Sequence, residues 1–506
     1  MSQFATLTFR KLKYHRIVEI LPALTASRVR SRVDGEFAPP DSRRDIGLTA
    51  KLGISPTITL DATVNPDFSQ VESDAGQIDV NLRHSAYYSE KRPFFLEGLE
   101  HFQFEGNTES APLMSVVHTR NIIDPVYGLK LTGKFAKRDT LAMIYARDRV
   151  LSSEYAGAER ADFAVLRWRH AMKGDNYLGG FVTSRQAGDD WNRLAGVDGM
   201  LRMSPVSTMG FHLLGSLSRT SEAGESADGH ALAWRITRST RKSYFFAGLQ
   251  DISRDFRIDT GFLTRTGLTR LGLCGMWKFF PKSSWIQRID TFYWGYHLHD
   301  KPSSLVESFN LFTLRFRMAR SSQFRIDLIT ANEVYASRRF GTGGWGFQGN
   351  TQLTRSLGIY GFFRRSGAIY YDPEDPFGGV LDQIIFELEY KPTENITNSL
   401  GLRYADFHRD SDGAREYDCL ILRSRNTFQF NRYLFFRAIG EYNTYSRRLT
   451  LDLLASFTYI PGTVVHLGYG SAFERYRWEN PHYVRDNRFM QMDRGFFFKV
   501  SYLWRL

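Results

Sequence analysis

Apolar and polar residues alternate with a period of two along most of the chain. In "TITLDATV", Ile58, Leu60 and Val64 share one face, while Thr59 and Asp61 share the other. Successive side chains of a β-strand point to opposite sides, so this pattern predicts strands with one apolar and one polar face. The pattern recurs at 127–135, 312–318, 324–328, 384–391 and 449–459, and its polar face carries Arg315, Arg317, Arg325, Glu387 and Glu389.

The connections between these predicted strands alternate in length. Short polar turns near 55–56, 136–138, 204–205, 320–322, 392–395 and 461–462 alternate with longer loops at 152–160, 221–226, 253–260, 337–344, 372–379 and 471–493. Short turns at one edge and long loops at the other are typical of bacterial outer-membrane barrels. The sequence therefore predicts an all-β fold, a large transmembrane antiparallel β-barrel of about 24 strands. The even number would place both termini at the periplasmic edge, with residues 1–17 as a periplasmic segment and 18–506 as one barrel domain.

Composition agrees with a barrel. Aromatic residues make up 15% of the chain, yet the mean hydropathy is −0.35. No run reaches the roughly 18 apolar residues that a membrane-spanning helix requires, which leaves a closed barrel as the remaining way to span a bilayer. Five residues near predicted strand ends would form aromatic girdles at the two membrane interfaces: Trp168, Trp191, Trp234, Trp294 and Tyr459.

The two ends of the chain bear on export and insertion. The last strand, "FFFKVSYLWRL", is similar to the C-terminal signal by which outer-membrane proteins are recognised for insertion, although it ends in Leu506 instead of Phe. The expected partners are therefore the barrel-insertion machinery, outer-membrane lipid and lipopolysaccharide. The basic N-terminus lacks a following apolar stretch of the secretory type, so we expect the chain to be a trimmed or incomplete precursor.

One stretch, from Asn65 to Asn121, leaves the strand pattern. A barrel of this size encloses a lumen too wide for wall side chains to fill, so the sequence predicts an in-lumen plug at residues 66–120. Acidic plug residues are expected to pair with wall arginines, and Lys91 and Arg92 with Glu387 and Glu389. The plug or ligand candidates are Asp67, Glu72, Asp74, Lys91, Arg92, Glu97 and Arg120. The lumen-wall candidates are Arg315, Arg317, Arg325, Arg423, Glu387 and Glu389. Phe68, Phe94, Phe95 and Phe102 are expected to form an apolar core within the plug itself.

Three segments carry a resemblance to a known family: "TVNPDFSQVESD", "YYSEKRPFFLEG" and "HTRNIIDPVYGLKLTGKF". They resemble an outer-membrane β-barrel domain of unknown function that commonly follows a family-nine-like carbohydrate-binding module, chiefly in Bacteroidetes. The similarity continues through "FAVLRWR", "NRLAGVDGMLRM" and "FRIDTGFLTRTG". It implies the barrel fold, and through the usual module it implies a glycan as a ligand, although that module is absent here.

Other chemistry has weaker support in the sequence. Two plug carboxylates would serve a glycosidase only if they lay about 5–10 Å apart. "NPDFSQVESD" and "YDPEDPFGG" are alternative calcium loops, and His297 and His299 with Asp300 are an alternative metal site. The chain has no G-x-S-x-G, Walker A or paired C-x-x-C motif, so no cofactor is expected. The charge of +12 suits an anionic partner, but the basic and aromatic residues follow strand period, which disfavours nucleic acid.

The sequence thus favours a non-enzymatic, plugged outer-membrane barrel that moves or docks a substrate, with a glycan as the favoured ligand. TonB-coupled import is disfavoured, because such transporters carry a large plug before the first strand and here a strand begins at Val18. A barrel-embedded hydrolase of glycan or lipid and a structural surface scaffold are the alternatives.

Overall fold

The computed structural model describes residues 16–66, 76–107, 111–150, 158–220, 224, 226–479 and 482–506. Within them, twenty-four antiparallel strands follow one another around a single barrel. They are β1 Val18–Val33, β2 Asp41–Ser55, β3 Ile58–Val64, β4 Asp124–Lys134, β5 Asp139–Arg149, β6 Arg160–Ala171, β7 Tyr177–Ala187, β8 Asp190–Ser204, β9 Ser207–Arg219, β10 Ser226–Ser239, β11 Ser243–Ile252, β12 Leu268–Phe279, β13 Ile286–Asp300, β14 Leu305–Met318, β15 Gln323–Tyr335, β16 Gly344–Gln352, β17 Leu357–Tyr370, β18 Phe377–Thr393, β19 Ile396–Arg409, β20 Arg415–Gln429, β21 Leu434–Asn443, β22 Arg448–Ile460, β23 Thr463–Glu479 and β24 His482–Ser501.

The barrel closes where the last strand meets the first. β24 pairs with β1 from Ala23 opposite Ser501 to Ser31 opposite Asp493, and the short strand Trp504–Arg505 extends this seam. Every barrel strand therefore has two neighbours, as a structure surrounded by lipid requires. β1 begins and β24 ends at one edge, here called the turn edge, and the opposite edge is the loop edge. The predicted barrel and its strand number are confirmed.

The predicted long loop at 471–493 is wrong. β23 continues to Glu479 and β24 starts at His482, so these strands extend through most of that range. Charged residues occur on both faces there, in "ERYRWE" and "YVRDNR", which hides the alternation. Both faces of a strand that projects past the membrane meet water, so they do not need the contrast between apolar and polar faces.

The outer face of the barrel is apolar. Large hydrophobic side chains such as Ile46, at 74% exposure, and Leu328, at 56%, point away from the lumen. Trp168, Trp234 and Tyr459 lie on this outer face, in the halves of their strands nearer the turn edge, as expected for a girdle. Trp294 was expected among them but lies inside the barrel, where it packs with Phe246 and Cys274.

Short elements complete the fold. They are the helix α1 Pro93–Leu96, the 3-10 turns Leu99–Phe102 and Thr119–Asn121, and the short strands Glu36–Phe37, Arg338–Gly341, Leu113–Ser115 and Phe262–Leu263. Across the described ranges, no helix is long and apolar enough to cross a membrane. Leu113–Ser115 and Phe262–Leu263 pair with each other in a separate two-stranded sheet.

The lumen holds two segments of chain. The first is the predicted plug, described over residues 76–107 and 111–121, between β3 and β4. The second is the connection 253–267 between β11 and β12, here called the inserted loop. The sequence had placed that loop outside the barrel, and this is wrong: Phe256 and Ile258 are buried in the same apolar cluster as Phe95 of the plug. The loop folds inward because its alternating apolar residues have a partner surface only there.

Candidate functional site: the plug and the vestibule at the turn edge

One part of the barrel wall packs tightly against the plug. We call this wall, β4–β10, the packed sector. Its inner face is apolar, and the cluster that it forms with Phe94, Phe95 and Phe102 of the plug also includes Ala142, Ile144, Ala146, Phe163, Val165, Phe181, Leu194, Leu214 and Ala231. The prediction that these phenylalanines form a core of the plug's own is therefore wrong, because most of their partners belong to the wall. Phe68 lies outside the described residues.

Buried charges of the packed sector bind the backbone of the plug. Arg167 and Asp198 form an ion pair at 2.6 Å, and both side chains are almost fully buried. Asp198 Oδ2 also accepts hydrogen bonds from the Tyr177 hydroxyl, at 2.9 Å, and from the backbone N–H of Glu105, at 3.1 Å. These bonds satisfy plug backbone groups that would otherwise be buried without partners. The plug is thus fixed in orientation as well as packed.

A lysine of β4 performs a similar role at the turn edge. Lys130 Nζ donates to the carbonyl oxygens of Phe94, at 2.6 Å, and Glu97, at 2.9 Å, and lies 3.5 Å from Asp61. Lys51 of β2 pairs with the Glu97 carboxylate. Glu97 therefore does contact the wall, but its partner is a lysine of β2 and not a predicted arginine.

Arg92 lies at the centre of a node inside the plug. Its guanidinium is buried against the Glu90 carboxylate, at 2.7 Å, and donates to the carbonyl oxygens of Ile122, at 2.6 Å, and Thr119. Burial alone would raise the pKa of Glu90, but hydrogen bonds from Arg92 and Thr119 outweigh burial and lower this pKa to about 2. The expected pairing of Arg92 with Glu387 and Glu389 is therefore wrong, since the guanidinium is used to fold the plug.

Arg120 also binds within the plug. Its guanidinium donates to the Ser89 carbonyl oxygen at 3.0 and 3.1 Å. This bond joins Ser89, just before the node around Arg92, to the last residues of the plug before β4. Arg120 therefore acts as a structural contact in this arrangement.

Residues 76–89, here called the crossing segment, run past the opposite wall without forming a helix or strand. The Gly76 N–H donates to Glu441 at 3.1 Å, and Arg403 donates to the Gly76 carbonyl at 2.8 Å. Further along, Ile78 and Val80 pack on a small aromatic cluster around Phe407. These contacts join the plug to β17–β21, across the lumen from the packed sector.

The crossing segment has two further polar attachments near the loop edge. Asn81 donates to the Ile369 carbonyl at 2.8 Å and accepts from the Tyr371 N–H at 2.7 Å. Arg83 pairs with Glu333 and lies 3.6 Å from Glu307. The crossing segment is therefore held mainly by individual polar contacts. Residues 93–105, here called the packed part of the plug, instead lie against the apolar face of the packed sector.

A polar cavity of about 790 Å³ lies beside the crossing segment, toward the turn edge. We call this cavity the vestibule. Wall strands β16–β21 line it, and Lys91 of the plug forms part of its surface. Its charged lining residues are Lys91, Arg355, Lys391, Arg403, Arg423, Arg425, Glu387, Glu389 and Glu441. A second cavity of about 620 Å³, lined in part by Lys278, Arg315 and Arg325, lies farther along the same wall.

Five of the six predicted wall residues, all except Arg317, line these two cavities, and several of them form ion pairs with other residues of the wall. Arg423 pairs with Glu441 at 2.7 Å, and Glu387 lies 3.6 Å from Arg403. Glu389 pairs with Lys391. Glu441, the ion-pair partner of Arg423, also accepts the hydrogen bond from the Gly76 N–H.

Two of the remaining wall arginines, Arg317 and Arg325, pair with aspartates of the wall. Arg317 lies 3.4 Å from Asp290, and Arg325 lies 2.6 Å from Asp327. Arg315 lines the second cavity beside Arg325. The expected pairing of these arginines with plug carboxylates is therefore wrong for the described residues. Three of the predicted plug candidates, Asp67, Glu72 and Asp74, lie outside those residues.

The structure tests the alternative metal site at His297, His299 and Asp300. His297 and His299 point outward, whereas Asp300 points inward and binds Arg265 at 2.8 Å, so the three side chains do not meet. In the parts of the chain that the structure covers, no group of three His, Cys, Asp or Glu residues is placed to hold a metal. Cys274 and Cys419 are both buried and do not form a disulfide.

The inserted loop is the site component that sequence reasoning missed. Asn121 of the plug donates to the carbonyl oxygens of Asp259 and Gly261, each at 2.9 Å, and the Thr260 hydroxyl donates to Val116. At Gly261 an added Cβ would lie 2.3 Å from the Ser115 carbonyl, so only glycine permits this approach. One sequence feature could have predicted that this loop folds into the lumen. It is the alternation of Phe256 and Ile258 with polar residues in a loop that is otherwise rich in Gly and Asp.

Comparison with known proteins supports the barrel. Residues 25–107 match the model of a family described as Domain of unknown function (DUF5916), which covers β1–β3 and the plug up to Asn107. No curated protein matches the sequence. Among solved structures, the copper transporter OprC has a TM-score of 0.50 at 10% identity, over 96% of this chain and 80% of that one.

Two further structures are less similar. The FrpB iron transporter from Neisseria meningitidis has a TM-score of 0.42 at 10% identity, over 97% of this chain and 82% of that one. The siderophore receptor PirA from Pseudomonas aeruginosa has a TM-score of 0.41 at 7% identity, over 96% and 80%. The likeness to OprC shows the barrel fold of this chain.

Proposed function

We propose that this protein resides in the outer membrane and passes or docks a polar solute through its barrel. The crossing segment is the part that moves, and the rest of the plug stays fixed. One observation carries this proposal: the two parts of the plug are held in different ways. The packed part shares a large apolar cluster with the wall, whereas the crossing segment is held mainly by separate polar contacts at Gly76, Asn81 and Arg83.

The vestibule supports a solute-handling function. Its volume lies within the range of small-molecule sites, roughly 300–1,000 Å³. Besides its charges, it presents the amide and hydroxyl groups of Asn350, Gln352, Ser356 and Tyr360, which suit the hydroxyl groups of a sugar. We therefore propose a glycan as the solute class.

Hydrolysis has no comparable support among the described plug carboxylates. Glu90 is bound by Arg92 and Glu97 by Lys51, and Glu105 is bound by Arg235. For Glu90 the hydrogen bonds from Arg92 and Thr119 favour the ionised form and lower the pKa, so this carboxyl group is a poor proton donor near neutral pH. The transport proposal therefore requires fewer changes to the observed contacts.

Single-channel conductance of the purified protein in planar bilayers tests this function. We expect the intact protein to be closed or to open briefly, and a variant lacking residues 66–120 to carry a large, steady current. The deletion removes the whole plug, so this current would show that the plug closes an otherwise continuous pore. No current from either protein would contradict transport and favour a structural scaffold.

A point variant tests which part of the plug moves. Arg83→Gln removes the ion pair with Glu333 without touching the packed sector, so we expect more frequent openings than in the wild type. Arg338→Gln is the matched control, since Arg338 is also a loop-edge arginine and pairs with Asp375 instead of the plug. Equal opening by both variants would mean that the crossing segment is not the moving part.

A further inference from the structure

Arginines collect on the outer face of the three strands that flank the closing seam, β24, β1 and β2. Exposed apolar side chains mark this face, among them Phe496 of β24, Leu24 of β1 and Ile46 of β2. Residues two apart on a strand share a face, so the same face continues toward the loop edge beyond these apolar residues. The arginines on that continuation, here called the arginine patch, are Arg28, Arg30, Arg32, Arg44 and Arg494.

The arginine patch begins where the apolar band of the barrel ends. Arg44 lies ten residues from Ile54, and Arg494 lies ten residues from Trp504, and both apolar residues are exposed on the outer face at the turn edge. At a rise of about 3.4 Å per residue and a strand tilt of about 40°, ten residues span roughly 26 Å of the membrane. The apolar band of an outer-membrane barrel is about 25 Å tall. With the turn edge in the periplasm, the patch therefore lies at the headgroup level of the outer leaflet.

Strand pairing brings the positive charges of the patch close together. Arg30 lies directly opposite Arg494 across the seam. The guanidinium groups of Arg32 and Arg494 both lie over the ring of Phe37, at 4.3 and 4.4 Å from its centre. Like charges directly opposite each other destabilise an antiparallel strand pair. An anion bound between these side chains would relieve that repulsion.

The carboxylates of the same strand stretches face the lumen instead. Lys51 of β2 binds Glu97 of the plug, so its side of the strand is the inner one, and the carboxylates in phase with it are Asp41 and Asp45. On β24, Asp493 is next to Arg494 and therefore points to the opposite face. Among the ion pairs between described residues, none involves the arginine patch.

The segments that adjoin these strands in the chain but lie outside the described residues carry no carboxylate. Residues 480–481, between β23 and β24, are Asn and Pro, and residues 1–15, before β1, contain no Asp or Glu. Residues 67–75 do contain carboxylates, but they follow Pro66, which lines a cavity of the lumen. Asp34 and Glu36 lie beyond the patch, at the turn that follows β1.

From this arrangement we infer that the arginine patch binds the phosphate groups of lipopolysaccharide. This lipid forms the outer leaflet of the outer membrane, and its phosphorylated sugars lie directly above its acyl chains. Guanidinium groups bind phosphate oxygens with two parallel hydrogen bonds, while the apolar residues below the patch contact the acyl chains. Phe37 holds two of the guanidinium groups in place through cation–π contacts. The inference rests on the outer-membrane location in the proposed function, but not on the passage of a solute.

Lipid binding to the full chain in detergent, measured by native mass spectrometry, tests the inference. The probes are bisphosphoryl lipid A, monophosphoryl lipid A and phosphatidylglycerol. We expect bisphosphoryl lipid A to bind at least about ten-fold more tightly than phosphatidylglycerol, with monophosphoryl lipid A between them, because each further phosphate adds charge-assisted hydrogen bonds. Inorganic pyrophosphate at equal concentration should not displace lipid A, since it has no acyl chains. Equal affinity for the three lipids, or displacement by pyrophosphate, would overturn the inference.

Variants connect the binding to the arginine patch. Arg28→Gln and Arg30→Gln should each weaken the binding of bisphosphoryl lipid A by about five-fold, because each removes one charge-assisted contact. Arg193→Gln is the matched control. Arg193 is exposed near the loop edge of β8, between the inward-facing Asn192 and Leu194, and therefore lies on the outer face of the packed sector. An equal loss of affinity in this control would show only a general effect of surface charge and would contradict a specific site.

The melting temperature of the Arg30→Gln barrel distinguishes binding from a structural role. Because Arg30 is opposite Arg494, its removal should leave the melting temperature unchanged or raise it in detergent without lipid A. Added lipid A should then stabilise this variant less than it stabilises the wild type. A lower melting temperature without lipid A, together with unchanged lipid binding, would assign Arg30 to the support of the strands and overturn its role in binding.

The outcomes separate this inference from the proposed function. Phosphate-dependent lipid binding that is lost in the Arg28 and Arg30 variants would support the inference even if the variant without residues 66–120 carried no current. Loss of lipid selectivity would overturn the inference alone, whatever the conductance experiment shows. Cell fractionation that places the protein in another membrane would overturn both.

Discussion

The two sides of this barrel have the same strand geometry and opposite inner surfaces. In the packed sector the inner face carries residues such as Ile144 and Phe181, whereas around the vestibule it carries Arg403, Arg423 and Glu387. The outer face is apolar on both sides, since lipid covers it. Apolar burial therefore fixes the plug on one side, whereas on the other side charged residues line the vestibule.

The expected energies of the two surfaces differ accordingly. Complete burial of a large apolar side chain contributes roughly 1.5–3 kcal/mol. An ion pair exposed to solvent contributes about 0–1 kcal/mol. The packed sector is therefore expected to dominate the stability of the plug, and this comparison can be tested residue by residue.

The largest effect is expected from the buried ion pair of the packed sector. Arg167→Met leaves the Asp198 charge buried without its partner, which should destabilise the folded barrel by about 3–5 kcal/mol. The measurement is the temperature at which the heat-modifiable gel shift is lost in detergent. Arg403→Met, beside the vestibule, is the matched control and should cost no more than about 1 kcal/mol. Similar losses from both variants would remove the distinction between the two sides.

A cavity in the shared apolar core should have the next largest effect. Phe95 is completely buried, so Phe95→Ala is expected to cost about 3 kcal/mol and to loosen the packed part of the plug. Val80 of the crossing segment is only half-buried, and Val80→Ala should cost roughly 1 kcal/mol or less. Urea unfolding followed by tryptophan fluorescence compares the two. A larger loss of stability in the Val80 variant than in the Phe95 variant would contradict the account, because the crossing segment would then anchor the plug more strongly than the packed part does.

The node around Glu90 should give the plug a dependence on pH. Because the pKa of Glu90 is lowered to about 2 in the folded plug, the unfolded chain takes up its proton first as the pH falls. This contribution to stability is fully present above about pH 4.5 and is lost between about pH 4.5 and 2, with a size on the order of 2 kcal/mol. Glu90→Gln should flatten this part of the profile, measured by urea unfolding at each pH. A steep, unchanged profile in the variant would assign the effect to other carboxylates.

The smallest effect is expected from the charged wall itself. Glu387→Gln removes a carboxylate that borders the vestibule and lies 3.6 Å from Arg403, and its effect on stability should stay within about 0.5 kcal/mol. Thermal unfolding checks this expectation. A loss comparable to that of the Phe95 variant would mean that the charged wall also anchors the plug.

The sequence predicted the barrel because strands between lipid and water must alternate, and it located the plug because the alternation stops there. Alternation did not predict the apolar inner face of the packed sector. There "LAMIYA", at 141–146, is apolar on both faces of one strand, so the pattern does not distinguish the inner face from the outer face. The same apolar residue types can face the lumen or the lipid. Alternation alone therefore does not reveal that the plug and the wall share an apolar core.

The partner of Arg325 was predictable from a motif that recurs in the chain. "RID" occurs at 257–259, 288–290 and 325–327, and in each case the arginine pairs with the aspartate two residues later. At 288–290 and 325–327 the motif lies on a strand, where residues two apart share a face, so the ion pair forms locally without any plug residue. The attachments of Arg83 and Asn81 depend on strands more than 200 residues away and had no comparable local signal.

Hydrogen–deuterium exchange on the intact barrel in detergent tests the central claim most directly, because it compares the two parts of the plug in one protein. Backbone amides of residues 76–89 should exchange at least about 100-fold faster than those of 93–105, which corresponds to a difference of roughly 3 kcal/mol in local opening free energy. That result would establish one fixed and one movable part. Equal protection of both segments would contradict it, because the plug would then be a single rigid body.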